Sequence, residues 1–160
     1  MRTNQWLRQQ LTLIWHNFFP ELKKRNPIEI KFGRRCRTRL GSIKLEGRKT
    51  VITINGLFQN ESVPDYVITG TIAHELTHYA HGFSSPHPQL QRYPHQGGIV
   101  KKDLEKRGLK NILVKQKKWL KSNWLNYLKK YFPYTYCPRH VPYGTWRRRR
   151  YVYRFNFWPF

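Results

Sequence analysis

The chain has 160 residues, enough for one domain with an appendage and a modest hydrophobic core. It carries 31 Lys and Arg against 8 Asp and Glu, a formal net charge of +23. Such a charge favours polyanionic partners: nucleic acid first, an anionic membrane surface or an acidic protein second. Cys36 and Cys137 form no C-x-x-C pair, which excludes a zinc ribbon and a disulfide framework. We expect no signal peptide, no transmembrane segment and a cytoplasmic location, nucleoid-associated if the source is bacterial.

The charge is unevenly distributed along the chain. Residues 1–80 hold 13 basic and 6 acidic side chains, a net of +7, whereas residues 81–160 hold 18 and 2, a net of +16. No Asp or Glu follows Glu105, yet 15 of the 25 aromatic residues do. We therefore predict a folded domain over residues 1–112 and a basic, aromatic-rich C-terminal extension over residues 113–160.

The first predicted element is an amphipathic helix that ends between Pro20 and Asn26. Its apolar residues recur at steps of three and four: Trp6, Leu7, Leu11, Ile14, Trp15, Phe18, Phe19 and Leu22. Three strands follow, over residues 28–32, 40–46 and 49–54, and Gly47-Arg48 forms a hairpin turn between the last two. We expect these strands to form one antiparallel sheet.

The next predicted helix contains the motif His74-Glu75-Leu76-Thr77-His78. Ser62 begins an S-x-x-D start pattern, and Gly82 is a suitable C-terminal stop. In a helix the two histidines lie on one face, about 6 Å apart along the axis, where they can bind one zinc ion. Glu75 then points beside the metal and can accept a proton from an attacking water. The pattern indicates a zincin metallopeptidase; the alternative is a buried helix whose histidines hydrogen-bond within the core.

A third zinc ligand must come from another part of the chain, and His95 has the best setting. It precedes Gln96-Gly97-Gly98 and a predicted helix over residues 99–107 that ends at Gly108, which would give the ligand a firm support. The alternatives are His87, Asp103, Glu105, His81 or no third protein ligand. His81 is the weakest on geometry because it lies about 10.5 Å of helical rise from His74. The metzincin pattern is excluded, since it requires glycine in place of His81 and histidine in place of Ser84.

Residues 5–110 resemble the SprT-like family of zinc metallopeptidases, which includes bacterial SprT and eukaryotic Spartan. The resemblance is carried by the aromatic-rich first helix, Arg39-Leu40-Gly41, the proline-led helix with H-E-L-T-H, and a later Pro-His dipeptide followed by glycine and a short helix. Both Pro94-His95 and Pro86-His87 match that dipeptide. Many members add a zinc ribbon, for which this chain lacks the cysteines.

The resemblance implies an α+β, zincin-like fold of SprT type: an N-terminal helix, a three-stranded antiparallel sheet, the H-E-x-x-H helix and a later helix, followed here by the basic tail. It implies that His74, His78 and His95 bind Zn²⁺ and that Glu75 is the catalytic base. It also implies proteolysis of proteins trapped on DNA.

The extension contains a predicted helix over residues 115–131. We expect its aromatic side to dock on the core, through Trp124 and Leu128 in particular. The candidate nucleic-acid contacts are Lys117, Lys118, Lys121, Arg147, Arg148, Arg149 and Arg150. The four arginines precede aromatic residues at alternating positions 151–157, a mixture suited to phosphates and stacked bases of a single strand. The alternative is a strand added to the sheet edge beside a solvated arginine run.

The leading functional hypothesis is a zinc-dependent metalloendopeptidase that cleaves proteins associated with nucleic acid. A second hypothesis is a non-catalytic nucleic-acid-binding protein with a structural zinc site, which would need the histidines but not Glu75. A third is a peptidase held at an anionic membrane surface by the Trp- and Lys-rich helix.

Overall fold

The computed structural model describes residues 1–133, which form an α+β fold of four α-helices and one three-stranded sheet. In chain order the elements are α1 (Asn4–Phe18), β1 (Ile28–Phe32), β2 (Gly41–Glu46), β3 (Lys49–Ile54), a 3₁₀ turn (Gly56–Gln59), α2 (Asp65–Ala80), a second 3₁₀ turn (Gln96–Gly98), α3 (Ile99–Lys106) and α4 (Lys110–Tyr131). No helix within this range combines the length and apolarity that crossing a bilayer requires. Cys137, Arg147–Arg150 and the alternating aromatic residues predicted near the C-terminus lie outside the described residues.

Helix α1 begins at a side-chain cap and ends before a proline. The Thr3 hydroxyl accepts a hydrogen bond from the backbone N–H of Trp6 at 3.2 Å. The helix ends at Phe18, earlier than predicted, because Pro20 disfavours the helical conformation for the residue before it. Leu22 therefore lies in the following turn, where its carbonyl accepts from Nε1 of Trp15 at 3.1 Å.

The sheet is mixed, with strand order β1-β3-β2. Strands β2 and β3 form the expected antiparallel hairpin, but β1 pairs with β3 in parallel, Ile30 opposite Ile52. The prediction of a wholly antiparallel sheet was therefore wrong for β1. Alternating apolar residues determine which face of a sheet a side chain takes, but they do not identify the neighbouring strand. The chain leaves β1, crosses the end of β3 through residues 33–40, and only then enters β2.

Asn55 holds this crossing segment in place. Its buried Nδ2 donates to the carbonyls of Cys36 at 2.6 Å and Arg39 at 2.7 Å, and its Oδ1 accepts from the N–H of Cys36 at 3.1 Å and of Leu57 at 3.0 Å. From the other side, Nε1 of Trp124 donates to the carbonyl of Arg37 at 2.9 Å. Because these groups are fixed on both flanks, the segment has a defined path up to the start of β2.

Helix α2 is the central element, in contact with the sheet and with α1, α3 and α4. It begins at Asp65 without a side-chain cap, and the predicted capping role of Ser62 is wrong, because its hydroxyl donates to Oδ1 of Asn60 at 2.8 Å. The buried guanidinium of Arg2 instead binds the Val63 carbonyl and the Asp65 carboxylate. The helix ends at Ala80, two residues before Gly82, whose φ of +83° reverses the chain as predicted.

Helix α4 packs along α2 and belongs to the same hydrophobic core. The buried amide of Gln116 donates to the Val67 carbonyl at 2.9 Å and to the Thr71 hydroxyl at 3.1 Å. Trp124 and Leu128 are buried, which confirms their predicted docking role. The helix starts at Lys110, earlier than predicted, so residue 112, the predicted domain boundary, lies inside it.

Candidate metal centre

Three ionisable side chains of the motif are buried in the last two turns of α2. The exposed fractions are 3% for His74, 3% for Glu75 and 6% for His78. Helix spacing puts the two histidines one turn apart, and their Nε2 atoms lie 2.9 Å from each other. Burying such groups is costly unless they are paired or bind a ligand, which marks this end of α2 as a candidate functional site.

His95 completes a cluster with the two motif histidines. It lies on the turn before the 3₁₀ residues that lead into α3, and its ring centroid is 5.3 Å from that of His74 and 4.7 Å from that of His78. The potential ligand atoms of the three residues all lie within 4.8 Å of one another. Ligand nitrogens about 2.0–2.1 Å from a tetrahedral zinc lie roughly 3.3 Å apart. The three histidines could therefore hold a metal ion with small adjustments.

The environment of the three histidines disfavours their protonation and so favours binding of a metal ion. Burial lowers the pKa of His74 well below its usual range, and the neighbouring His78 and His95 lower it further. Burial likewise lowers the pKa of His78 to about 4, and it lowers the pKa of His95. The imidazoles are therefore neutral at pH 7, the form in which histidine binds metals.

Glu75 lies between the two motif histidines in the sequence and is as deeply buried. Burial raises the pKa of its carboxyl group to about 8, while the positive charge of Arg39 acts in the opposite direction. The start of β2 leaves room for this carboxyl: a Cβ at Gly41 would lie 2.8 Å from Oε1 of Glu75. A carboxyl group with a pKa near neutrality can both accept and return a proton during a reaction.

The cluster opens into a cleft of about 400 Å³ between the start of β2 and the segment that follows α2. On the far side, the Ser84 hydroxyl donates to the Ile43 carbonyl at 3.3 Å, which ties the two walls together. Besides His74, Glu75, His78 and His95, the cleft is lined by Arg39, Gly41, Ser42, Ile43, Phe83, Ser84 and Pro94. The family resemblance points to Arg39, Gly41 and Pro94, but hydrophobic periodicity gives no signal for Ser42, Ile43, Phe83 or Ser84 as cleft residues, because they come together through the crossing segment and the loop after α2.

The other candidate ligands lie elsewhere. His87 donates from Nε2 to the Lys23 carbonyl at 2.8 Å, and its ring packs on Tyr79 with centroids 5.0 Å apart. His81 pairs with Asp103 through Nε2 and Oδ2 at 3.0 Å, in a second cavity of about 640 Å³. Glu105 lies 3.9 Å from Lys101, the next turn back on α3. None of these four candidates belongs to the histidine cluster within residues 1–133.

The candidate nucleic-acid contacts can be located only in part. Lys117, Lys118 and Lys121 are exposed on α4, whose opposite side packs on α2. The four arginines 147–150 lie outside the described residues.

Comparisons with known proteins give no relative for this site. No model of a known protein family matches the chain, and neither a curated protein nor a solved structure matches it.

Proposed function

We propose that this protein is a zinc-dependent metalloendopeptidase of the SprT-like kind, in which His74, His78 and His95 hold the metal and Glu75 is the catalytic base. The observation that carries the proposal is the position of Glu75. Its buried carboxyl group lines the same cleft as the three histidines, one residue from the first of them. A purely structural zinc site has no use for such a carboxylate, and it is closed by four protein ligands rather than three.

The donor set suits zinc. Three neutral imidazoles are typical ligands of Zn²⁺, and three protein ligands leave a coordination position for chemistry. A bound zinc ion would supply a Lewis acid that polarises a carbonyl group and acidifies a water molecule. Glu75 would accept the proton of the attacking water and donate it to the leaving amine.

The start of β2 supports a polypeptide substrate. Within residues 1–133 this strand has β3 as its only neighbour, so it is an edge of the sheet. The Leu40 carbonyl bonds to the Asn55 N–H at 2.8 Å, and by antiparallel alternation the backbone groups of Gly41 and Ile43 point away from β3. Gly41 lines the cleft beside Glu75, so an extended peptide could pair with its backbone groups, whereas the Ile43 carbonyl already accepts from the Ser84 hydroxyl.

The charge supports a substrate associated with nucleic acid. With a net charge of +23, the protein will concentrate on polyanions at low salt. The exposed lysines 117, 118 and 121 lie on α4, which packs directly on α2, so nucleic acid bound there would be held by the same folded unit that carries the cleft. This arrangement would bring the enzyme and a DNA-bound protein together without sequence recognition of the protein.

The test combines metal analysis with cleavage of a DNA-bound protein, with and without DNA and at two salt concentrations. Glu75→Gln should retain zinc and lower the cleavage rate by about 10²- to 10⁴-fold, the range expected for loss of a general base. The matched control is Glu105→Gln, which removes a carboxylate outside the cleft and should leave the rate unchanged. Activity that survives Glu75→Gln would exclude the peptidase mechanism, and a rate indifferent to DNA and salt would exclude the nucleic-acid association.

A further inference from the structure

Arg39 has an unusual position in the cleft. Apart from Glu75 and the three histidines, it is the only ionisable side chain that lines the cleft within residues 1–133. Its side chain is exposed, and within residues 1–133 it forms no hydrogen bond and no salt bridge. Other arginines of the fold have partners. Arg2 hydrogen-bonds to four oxygen atoms around the start of α2, and Arg107 binds the carboxylates of Glu21 and Asp103 and the Phe18 carbonyl.

The backbone that carries Arg39 is fixed. Its carbonyl accepts from Nδ2 of the buried Asn55 at 2.7 Å, and Trp124 holds the carbonyl of Arg37 two residues earlier. On its other side, Leu40 is buried and bonded to the N–H of Asn55 at 2.8 Å. A side chain mounted on a fixed backbone loses less conformational entropy when it binds a ligand.

Arg39 lines the same cleft as Glu75 and the three histidines, so its positive charge attracts anionic groups inside the site. A ligand anion in the cleft would experience the same attraction. The guanidinium is a planar fork of donors that matches a carboxylate in a bidentate geometry. The other walls, formed by Gly41, Ile43 and Phe83, offer backbone and apolar surface, which suit a peptide. A nucleic-acid strand would need several cations in succession, and within residues 1–133 the cleft provides Arg39 alone.

We propose that Arg39 is a specificity-determining residue that binds a carboxylate of the peptide substrate. The carboxylate belongs either to an Asp or Glu side chain near the scissile bond or to the C-terminus of the chain being cut. This inference rests on the proposed peptidase function and adds the substrate class to it. A charge reversal at residue 39 should then reverse the preference of the site.

The experiment measures cleavage of matched peptides. One series places Glu, Gln or Lys at each position that flanks the cleaved bond, and a second compares a free C-terminal carboxylate with a C-terminal amide. We expect the wild type to prefer the acidic member of one series by about fivefold, the upper range for a solvent-exposed ion pair. Arg39→Gln should abolish that preference, and Arg39→Glu should shift it toward the Lys peptides. The series that responds identifies the source of the carboxylate.

The control is Arg35→Gln, which removes the same charge from the same segment but lies in a different cavity, beside Tyr127. It should retain the acidic preference. If the wild type cleaves no peptide, the peptidase proposal fails, and binding of the same peptides to zinc-loaded Glu75→Gln, measured by fluorescence anisotropy, still decides the role of Arg39. An unchanged preference in Arg39→Gln, or an effect confined to binding of a single-stranded oligonucleotide, would overturn the inference.

Discussion

Gly41 allows the carboxyl group of Glu75 to lie against the start of β2: a Cβ at residue 41 would lie 2.8 Å from Oε1 of Glu75 and 2.8 Å from Cγ2 of Thr71. The absence of a side chain at this position therefore sets where the proposed catalytic base can lie. The first prediction follows from this contact.

Gly41→Ala should displace Glu75 and slow cleavage by up to about 100-fold, since errors of about 1 Å in a catalytic group can have effects of that size. Overpacking should also lower the free energy of unfolding by about 1–3 kcal/mol. The double variant Gly41→Ala/Thr71→Ser keeps the hydroxyl of residue 71 but removes the methyl group, so it should recover part of the lost stability without recovering the rate. A normal rate in Gly41→Ala would contradict the assigned position of Glu75.

The histidine cluster makes a prediction about metal affinity. His95→Ala should weaken zinc binding by more than about 100-fold, because even outer partners of metal ligands contribute 10- to 100-fold. His87→Ala is the matched control: this side chain contacts Lys23 and Tyr79 and should not affect the metal. Competition with a fluorescent chelator measures both affinities. Equal affinities of His95→Ala and the wild type would remove His95 from the site.

Most of the candidate site could be predicted from the local spacing of residues in the sequence. Residues four apart on a helix place His74 and His78 together, and the setting of His95 before a short helix is also readable from the sequence. The crossing segment is different, because its path depends on Asn55 and Trp124, which contact it from 16 to 87 residues away. Strand pairing, the approach of Gly41 to Glu75 and the position of Arg39 all depend on that path, so periodicity could not predict them.

The buried carboxyl group predicts how the metal-free protein responds to pH. Glu75 ionises near 4.5 in an unfolded chain and near 8 in the folded one, so between these values the folded state binds the additional proton. The free energy of unfolding should therefore fall as pH rises from about 5 to 8, by at most about 1.4 kcal/mol per pH unit from this group. The histidines have the opposite effect. Folding lowers the pKa values of His74 and His78, so the unfolded chain binds the additional protons at acidic pH, and the free energy of unfolding falls as pH drops below about 6.5.

The variant Glu75→Gln separates the two effects in denaturant titrations of chelator-treated protein. It should lack the decline between pH 5 and 8 and keep the loss of stability at acidic pH. Parallel pH curves for Glu75→Gln and the wild type would show that Glu75 ionises normally in the fold.

Helix α4 should be an integral part of the folded unit. Trp124 is 1% exposed, its ring packs edge-on against Phe58, and its Nε1 donates to the Arg37 carbonyl. Trp124→Ala should therefore lower the free energy of unfolding by about 3–5 kcal/mol. Leu125 is the control on the next position of the helix, since it is 44% exposed and its replacement by Ala should have little effect. Thermal melting of the two variants gives the comparison, and similar melting temperatures would refute this packing.

After His78 the chain completes α2 at Ala80 and then forms a loop that returns to His95, so the two ends of this span meet at the histidine cluster. A metal ion shared by these ends would act as a cross-link, and closing a loop of this length by a disulfide is worth about 3 kcal/mol of loop-closure entropy. Leu90 is 58% exposed within the loop and is followed by Gln91, so chymotrypsin can cut after it, whereas Pro94 protects the bond after Tyr93. The rate of chymotryptic nicking after Leu90 would therefore report metal occupancy directly, without any substrate for the enzyme itself.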